Sequence, residues 1–185
     1  MPVSPEELRI GTKAQPFLLK GTDDKVYSLN DFRDKTVLCV IFMCNHCPYV
    51  IAVQDRINQI AKDYSGKSFA LVGINPNDDE AYPEDSFENM KKRTEERGFV
   101  FPYLRDETQE VVKQYDAVCT PDIYLYDDNR VLKYRGRLDD NWKDEKQVKR
   151  KELRMAIDRM LDGKEIDFEM IPSMGCSIKW KDYPY

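Results

Sequence analysis

The sequence predicts an α/β protein with a mixed central sheet flanked by helices on both faces, and three observations carry that prediction. Residues 36–43 form an unbroken apolar run of strand length, as a strand buried on both faces requires. A helical pattern follows at once, with Val50, Val53, Ile57, Ile60, Ala61 and Tyr64 on one face, and a second apolar run comes at 69–74, completing a parallel β-α-β unit. Residues 122–126 and 131–135 then flank the turn Asp127-Asp128-Asn129, and a last helix closes the pattern, so an antiparallel half adjoins the parallel one.

Each element has its own signals. Phe17-Leu18-Leu19 and Val26-Tyr27-Ser28-Leu29 flank a Gly-Thr-Asp-Asp turn, which predicts an N-terminal β-hairpin. Asp31-Phe32 suggests a short helical turn before the buried strand. The first helix spans about 47–64, with Pro48 tolerable in its first turn and Gly66 as its stop. After the strand at 69–74 and the polar loop 75–80, Pro83 is expected to open a second helix. Phe87, Met90 and Thr94 share one of its faces, and Gly98 stops it. Residues 101–104 form an extended connector. Asp106 and Gln109 are expected to make a capping box for a short helix bearing Val111, Val112 and Tyr115. The last helix, about 145–161, buries Leu153, Ala156, Ile157, Met160 and Leu161 and stops at Gly163. One domain is expected over 1–185: a core at about 10–165, and a tail at 166–185 that packs back on it. The tail aromatics Trp180, Tyr183 and Tyr185 are expected to cover the sheet or a neighbouring chain.

Bulk properties narrow the function. A net charge of −5 and a pI near 5.1 argue against nucleic acid or an anionic membrane as partner. The opening MPVSPEELRI carries acids and no apolar segment, so no signal peptide is expected, and no window approaches a membrane span. The expected compartment is the cytoplasm, where five cysteines are redox-active or metal-bound rather than structural. Their odd number leaves one unpaired in a monomer.

The chemistry concentrates at Cys44-Asn45-His46-Cys47, a C-x-x-C placed where the buried strand hands over to a helix. Unpaired N–H groups and the positive end of the helix dipole point at the thiols there and stabilise a thiolate, the reactive form. Cys44, at the mouth of the helix, is expected to be the low-pKa nucleophile, with Cys47 resolving. His46, the only histidine, would as an imidazolium lower the thiol pKa further; otherwise it is an exposed helix-start residue. Cys39 reads as a small hydrophobe on the strand. Cys119 and Cys176, taken singly, are ordinary buried or tail thiols. A C-x-x-C alone is equally half a zinc site.

Buried strand, C-x-x-C, helix, then Thr120-Pro121 before a hairpin and a last helix resembles the thioredoxin fold. The stretches IGTKAQPFLLKGTDDKVYSLNDF, FALVGINPND and FPYLRDETQEVVKQYDAVCTP resemble the peroxiredoxin and membrane-anchored thioredoxin-like branch. CNHCPYV together with GCSIKW is similar to the peroxiredoxin-like (AhpC/TSA) subgroup. The resemblance implies a cis Thr120–Pro121 bond facing the C-x-x-C, with the Thr120 backbone free to pair with a substrate strand. It implies no cofactor and no metal, a protein or small-molecule disulfide or a peroxide as substrate, a thiol electron donor, and a monomer or homodimer. Departures stand beside it. Met43 replaces the tryptophan that precedes the first cysteine in thioredoxins, and Leu38 their buried carboxylate. Aligned to a peroxiredoxin site, only Cys47 and Pro48 match; Cys44 fills the threonine slot, Val40 the proline slot, and the arginine falls near Pro121.

Four readings follow: a thiol–disulfide oxidoreductase using Cys44 and Cys47; a thiol peroxidase with Cys47 meeting peroxide; a Cu or Zn carrier; and a non-catalytic peptide-binding module. The tail is expected to place Cys176 near Cys119 as a second dithiol in relay with the first.

Overall fold

In a computed structural model, described here for residues 2–181, the chain builds a mixed α/β sheet covered by helices. Its strands are β1 (Leu18–Gly21), β2 (Val26–Ser28), β3 (Val37–Phe42), β4 (Phe69–Asn75), β5 (Tyr103–Arg105), β7 (Asp122–Tyr126) and β8 (Leu132–Arg135). They lie in the order β2-β1-β5-β4-β3-β7-β8, with β3–β4 and β4–β5 parallel and the other pairs antiparallel. A separate short pair joins β6 (Cys119–Thr120) to β9 (Cys176–Ser177). The helices are α1 (Pro48–Asp63), α2 (Phe87–Arg97), α3 (Glu110–Tyr115) and α4 (Glu152–Leu161).

β3 explains the unbroken apolar run. Every residue from Val37 to Phe42 has no solvent exposure, because β3 pairs on both edges and is covered on both faces. Val37, Cys39 and Ile41 face α1 and α4 together with Ile57, Leu153 and Ile157; Leu38, Val40 and Phe42 face α3 with Val112, Tyr115 and Tyr124. The N-terminal hairpin adds β1 and β2 at the edge beside β5, as its turn signals predicted. None of the described helices is long and apolar enough to cross a membrane.

Three local expectations are corrected. Pro83–Asp85 form only a 3-10 turn, and α2 begins at Phe87 because the Ser86 hydroxyl accepts from Asn89 N at 3.3 Å and caps it. The Asp106–Gln109 box does not form. Gln109 sits in the left-handed region (φ 61°) with its amide turned to the carbonyls of Pro76 and Lys179, while Asp106 accepts from Val112 N at 2.8 Å. The helix expected over 145–161 is broken: a 3-10 turn at Glu145–Gln147, then α4 from Glu152. Asp140 causes the break. Its carboxylate accepts from Lys149 N at 2.9 Å and its own N–H donates to the Arg150 carbonyl, so the chain between is drawn out of helical geometry.

The tail folds back. Beyond β9, Ile178 N donates to the Val118 carbonyl at 3.2 Å, and Asn77 and Asp78 bond to Lys179. Trp180 packs half-buried against the α3 side of the core; Tyr183 and Tyr185 lie outside the described residues.

Candidate redox site

The ladder of β3 continues one residue past Phe42, where Met43 N donates to the Ile74 carbonyl, and the chain then turns through Cys44–Cys47 into α1. Cys47 is the N-cap of α1, with extended backbone (φ −68°, ψ 123°), and Pro48 occupies the first helical position, where no N–H is needed. Both sulfurs are shut from water: Cys44 is 2% exposed and Cys47 0%.

The surroundings of the two sulfurs favour the thiolate on Cys47, where the sequence reading expects it on Cys44. The Cys44 thiol donates to Cys47 Sγ, and this pulls the Cys47 pKa down to about 5 despite burial; the Cys176 thiol and the N–H groups of Val50 and Cys176 add to it. Burial pushes Cys44 well up, and its bond to Cys47 and the nearby Asp85 carboxylate push the same way. The physical reason is position. Cys47 caps the helix and collects N–H donors, whereas Cys44 precedes it and faces a carboxylate. Thr120 touches both: its hydroxyl lies 3.3 Å from Cys44 Sγ, and its carbonyl accepts from the protonated form of Cys47 at 3.1 Å.

The loop after β4 supplies a residue that sequence reasoning missed. Asp85 is fully buried and accepts from Asn45 N at 2.6 Å, Asn77 Nδ2 at 2.8 Å and Asn75 Nδ2 at 3.3 Å. Its other contact is His46 Nδ1 at 2.7 Å, so His46 is paired with a carboxylate rather than standing between the thiols. Burial raises the Asp85 pKa, but the bonds from His46, Asn77 and Asn45 outweigh it and hold the group below its ordinary value. The same bond raises His46, and the ring stacks on Tyr82 with centroids 4.9 Å apart. Asn45 is pinned as well: it donates to the Glu84 carbonyl, accepts from Tyr103 Oη at 3.1 Å, and its carbonyl accepts from Arg93. One signal could have found Asp85. Asn45 and His46 in a turn flanked by buried thiols need polar partners, and the polar loop at 75–85 is the segment that supplies them.

Cys44, His46 and Asp85 are also the group through which a metal could be held, each bringing one ligand atom within 4.8 Å of the others. The Asp85 oxygens are already engaged by four donors.

The Thr120–Pro121 bond is cis. Thr120 pairs with Cys176 and Cys119 with Ser177, antiparallel, so Thr120 and Cys176 share a face and Cys119 points to the other. The tail brings Cys176 beside Cys119 in the β6–β9 pair, but with its side chain on the Cys47 side, while Cys119 Sγ turns to the Pro121 carbonyl at 3.6 Å. An apolar cleft of about 430 Å³ opens beside Pro121, walled by Tyr49, Ile123, Trp142, Ile171 and Met174.

A search of curated proteins finds no match. Among solved structures, an uncharacterized conserved protein from Geobacillus kaustophilus is 44% identical, with 100% of this chain and 98% of that one covered and a TM-score of 0.93. A hypothetical protein from Sinorhizobium meliloti is 38% identical over 97% and 99% of the two chains, also at 0.93. A thiol:disulfide interchange protein of the thioredoxin family from Chlorobium tepidum shares the fold at 18% identity, with 83% and 95% covered and a TM-score of 0.62. The AhpC/TSA family model matches residues 10–135, from ahead of the N-terminal hairpin to the end of β8 with the C-x-x-C and the cis proline inside it, and the chain belongs to the AhpC/TSA family.

Proposed function

We propose that the protein is a thiol–disulfide oxidoreductase in which Cys47 attacks and Cys44 resolves. The observation that supports this most is the placing of both thiols in the one turn that enters α1, with Cys47 as the helix N-cap and Thr120 against both sulfurs, which gives a nucleophile and its proton-bearing partner side by side. The Cys47 thiolate attacks one sulfur of a substrate disulfide, forming a mixed disulfide and releasing a substrate thiolate. Cys44 then gives its proton to the departing thiolate and attacks Cys47 Sγ, leaving the Cys44–Cys47 disulfide and a fully reduced substrate. Thr120 lies against both sulfurs: its hydroxyl is 3.3 Å from Cys44 Sγ, and its carbonyl accepts from Cys47 while that sulfur is protonated. The apolar cleft beside Pro121 offers a surface for the carbon skeleton of the substrate, a protein or small-molecule disulfide. A thiol donor restores the reduced pair, in a reducing compartment such as the cytoplasm.

A second reading has one specific observation in its favour. The thiolate falls on Cys47, the cysteine followed by proline that aligns with a peroxide-reactive thiol. Against it, Arg135 is committed to Asp122, and Arg93 to Asn45 and Gln54. Mixing the reduced protein separately with a small disulfide and with an alkyl hydroperoxide decides between them. Rapid loss of the Cys47 thiolate with the disulfide and slow loss with the peroxide is the expected result; the reverse order makes it a peroxidase.

A further inference from the structure

The tail does more than pack. Gly175 lies so close to β6 that a Cβ there would overlap the Thr120 carbonyl oxygen and sit 2.6 Å from its carbon. On its other side Gly175 exchanges two backbone bonds with Val3, at 2.9 and 3.1 Å. Gln109 brackets the next turn, donating to the Lys179 carbonyl at 2.7 Å and accepting from Lys181 N at 2.9 Å. The β6 edge, which the thioredoxin-like order would leave open for a substrate strand, is therefore filled by the chain itself. Cys176 is the residue set opposite Thr120 in that pairing, on the face of the dithiol: the Thr120 carbonyl lies 3.1 Å from Cys47 Sγ, and Cys176 packs against the apolar cluster that holds Cys44 and Cys47. Of the five cysteines it alone is not fully buried.

We propose that Cys176 is a third redox thiol, which takes Cys47 over from Cys44 by intramolecular exchange and so carries the disulfide from the closed pair to the partly exposed Cys176, where an external thiol reduces it. This rests on the exchange chemistry proposed above. In the step, Cys176 Sγ attacks Cys47 Sγ of the Cys44–Cys47 disulfide. The Cys44–Cys47 bond breaks, a Cys47–Cys176 bond forms, and Cys44 takes up the proton that Cys176 gives up. One thiol replaces another, with no net oxidation. Burial favours the protonated form of both Cys44 and Cys176, so the trade exchanges two like groups around a fixed Cys47. A thiol reductant then attacks Cys176 Sγ and expels Cys47, the better leaving group because its thiolate is the stabilised one. A second reductant thiol attacks the reductant sulfur of that mixed disulfide, which releases Cys176 as a thiol and forms the reductant's own disulfide.

The test oxidises wild type, Cys44→Ser, Cys119→Ser and Cys176→Ser with a small aromatic disulfide, maps the bridges after acid quenching, and follows re-reduction by dithiothreitol. The expected bridge in Cys44→Ser is Cys47–Cys176. Cys176→Ser, once oxidised, is expected to be re-reduced about tenfold more slowly than oxidised wild type, and Cys119→Ser to behave as wild type throughout. A wild type that reacts and yields only Cys44–Cys47, with Cys176→Ser re-reduced at the wild-type rate, overturns the role of Cys176 and leaves the dithiol chemistry standing. A wild type in which Cys47 does not react with the disulfide overturns both.

Discussion

Asp85, with no exposure to solvent, accepts the ring N–H of His46 at 2.7 Å, and this pair fastens the loop after β4 to the C-x-x-C turn. Its stability contribution has a defined pH window. His46 is raised from 6.5, so its contribution is fully present below about 6.5 and is lost as pH rises through the higher folded value. Asp85 is lowered from 3.8, so its contribution is present above 3.8 and is lost as pH falls through the lower folded value. Urea unfolding of wild type and His46→Gln should therefore show a stability gap that is widest near about pH 6 and narrows by about pH 9. A gap constant across that range would mean that the ring acts by packing on Tyr82 rather than by charge.

Cys47 should titrate far below an ordinary thiol. The ultraviolet thiolate band of the reduced protein is expected to have a midpoint at about 5, to disappear in Cys47→Ser, and to move upward in Cys44→Ala, which removes the largest stabilising donor. An upward move of about one unit corresponds to about 1.4 kcal/mol of lost thiolate stabilisation. If the low midpoint survives in Cys47→Ser and vanishes in Cys44→Ser, the two roles are exchanged.

The fold was readable because its signals are local and repetitive. An apolar run with no polar position belongs to a strand covered on both faces, and β3 is that strand. The C-x-x-C was readable for the same reason, as two residue types fixed at a junction. What escaped was set by long-range pairing. Asp85 stands in an unpatterned polar loop, and only the fold brings it to Asn45 and His46. The break before α4 depends on Asp140 bonding residues nine and ten positions on. The facing of Cys176 depends on a β6–β9 register that two-residue strands do not advertise. Even the order of the two thiol acidities turns on which cysteine becomes the N-cap, a choice of one turn of chain.

Just beyond the cis proline, Asp122 and Arg135 form a buried pair, 0% and 1% exposed, with Arg135 Nη2 2.7 Å from Asp122 Oδ2. Arg135 also donates to the carbonyls of Glu7 and Asp116 and lies over the Tyr124 ring. Removing the carboxylate leaves a guanidinium without its counter-charge in the core. Asp122→Ala should cost about 3–5 kcal/mol in chemical denaturation, and the double variant Asp122→Ala with Arg135→Met less than the single one. A single variant as stable as wild type would show that the carbonyl partners suffice.

The tail itself can be tested through its glycine. At Gly175 the obstacle to a side chain is backbone, the Thr120 carbonyl, which no rotamer change can move aside. Gly175→Ala should therefore lift β9 from β6 instead of being absorbed locally. The expected cost is about 1–3 kcal/mol, the range for forcing an extra methyl into a packed site. Three further changes should accompany it. The amides of Gly175 and Ile178, bonded to Val3 and Val118, should exchange with solvent faster. The Cys47 pKa should rise above about 5, since the thiol and N–H of Cys176 recede from its sulfur. Cys176 should also react more readily with alkylating agents, having lost its cover. Gln109→Ala, which frees the tail at Lys179 and Lys181 without touching the glycine, should produce the same changes in weaker form. Unchanged exchange at Ile178 together with an unchanged Cys47 titration in Gly175→Ala would mean that β6 shifts to admit the methyl. In that case the tail does not set the acidity of Cys47.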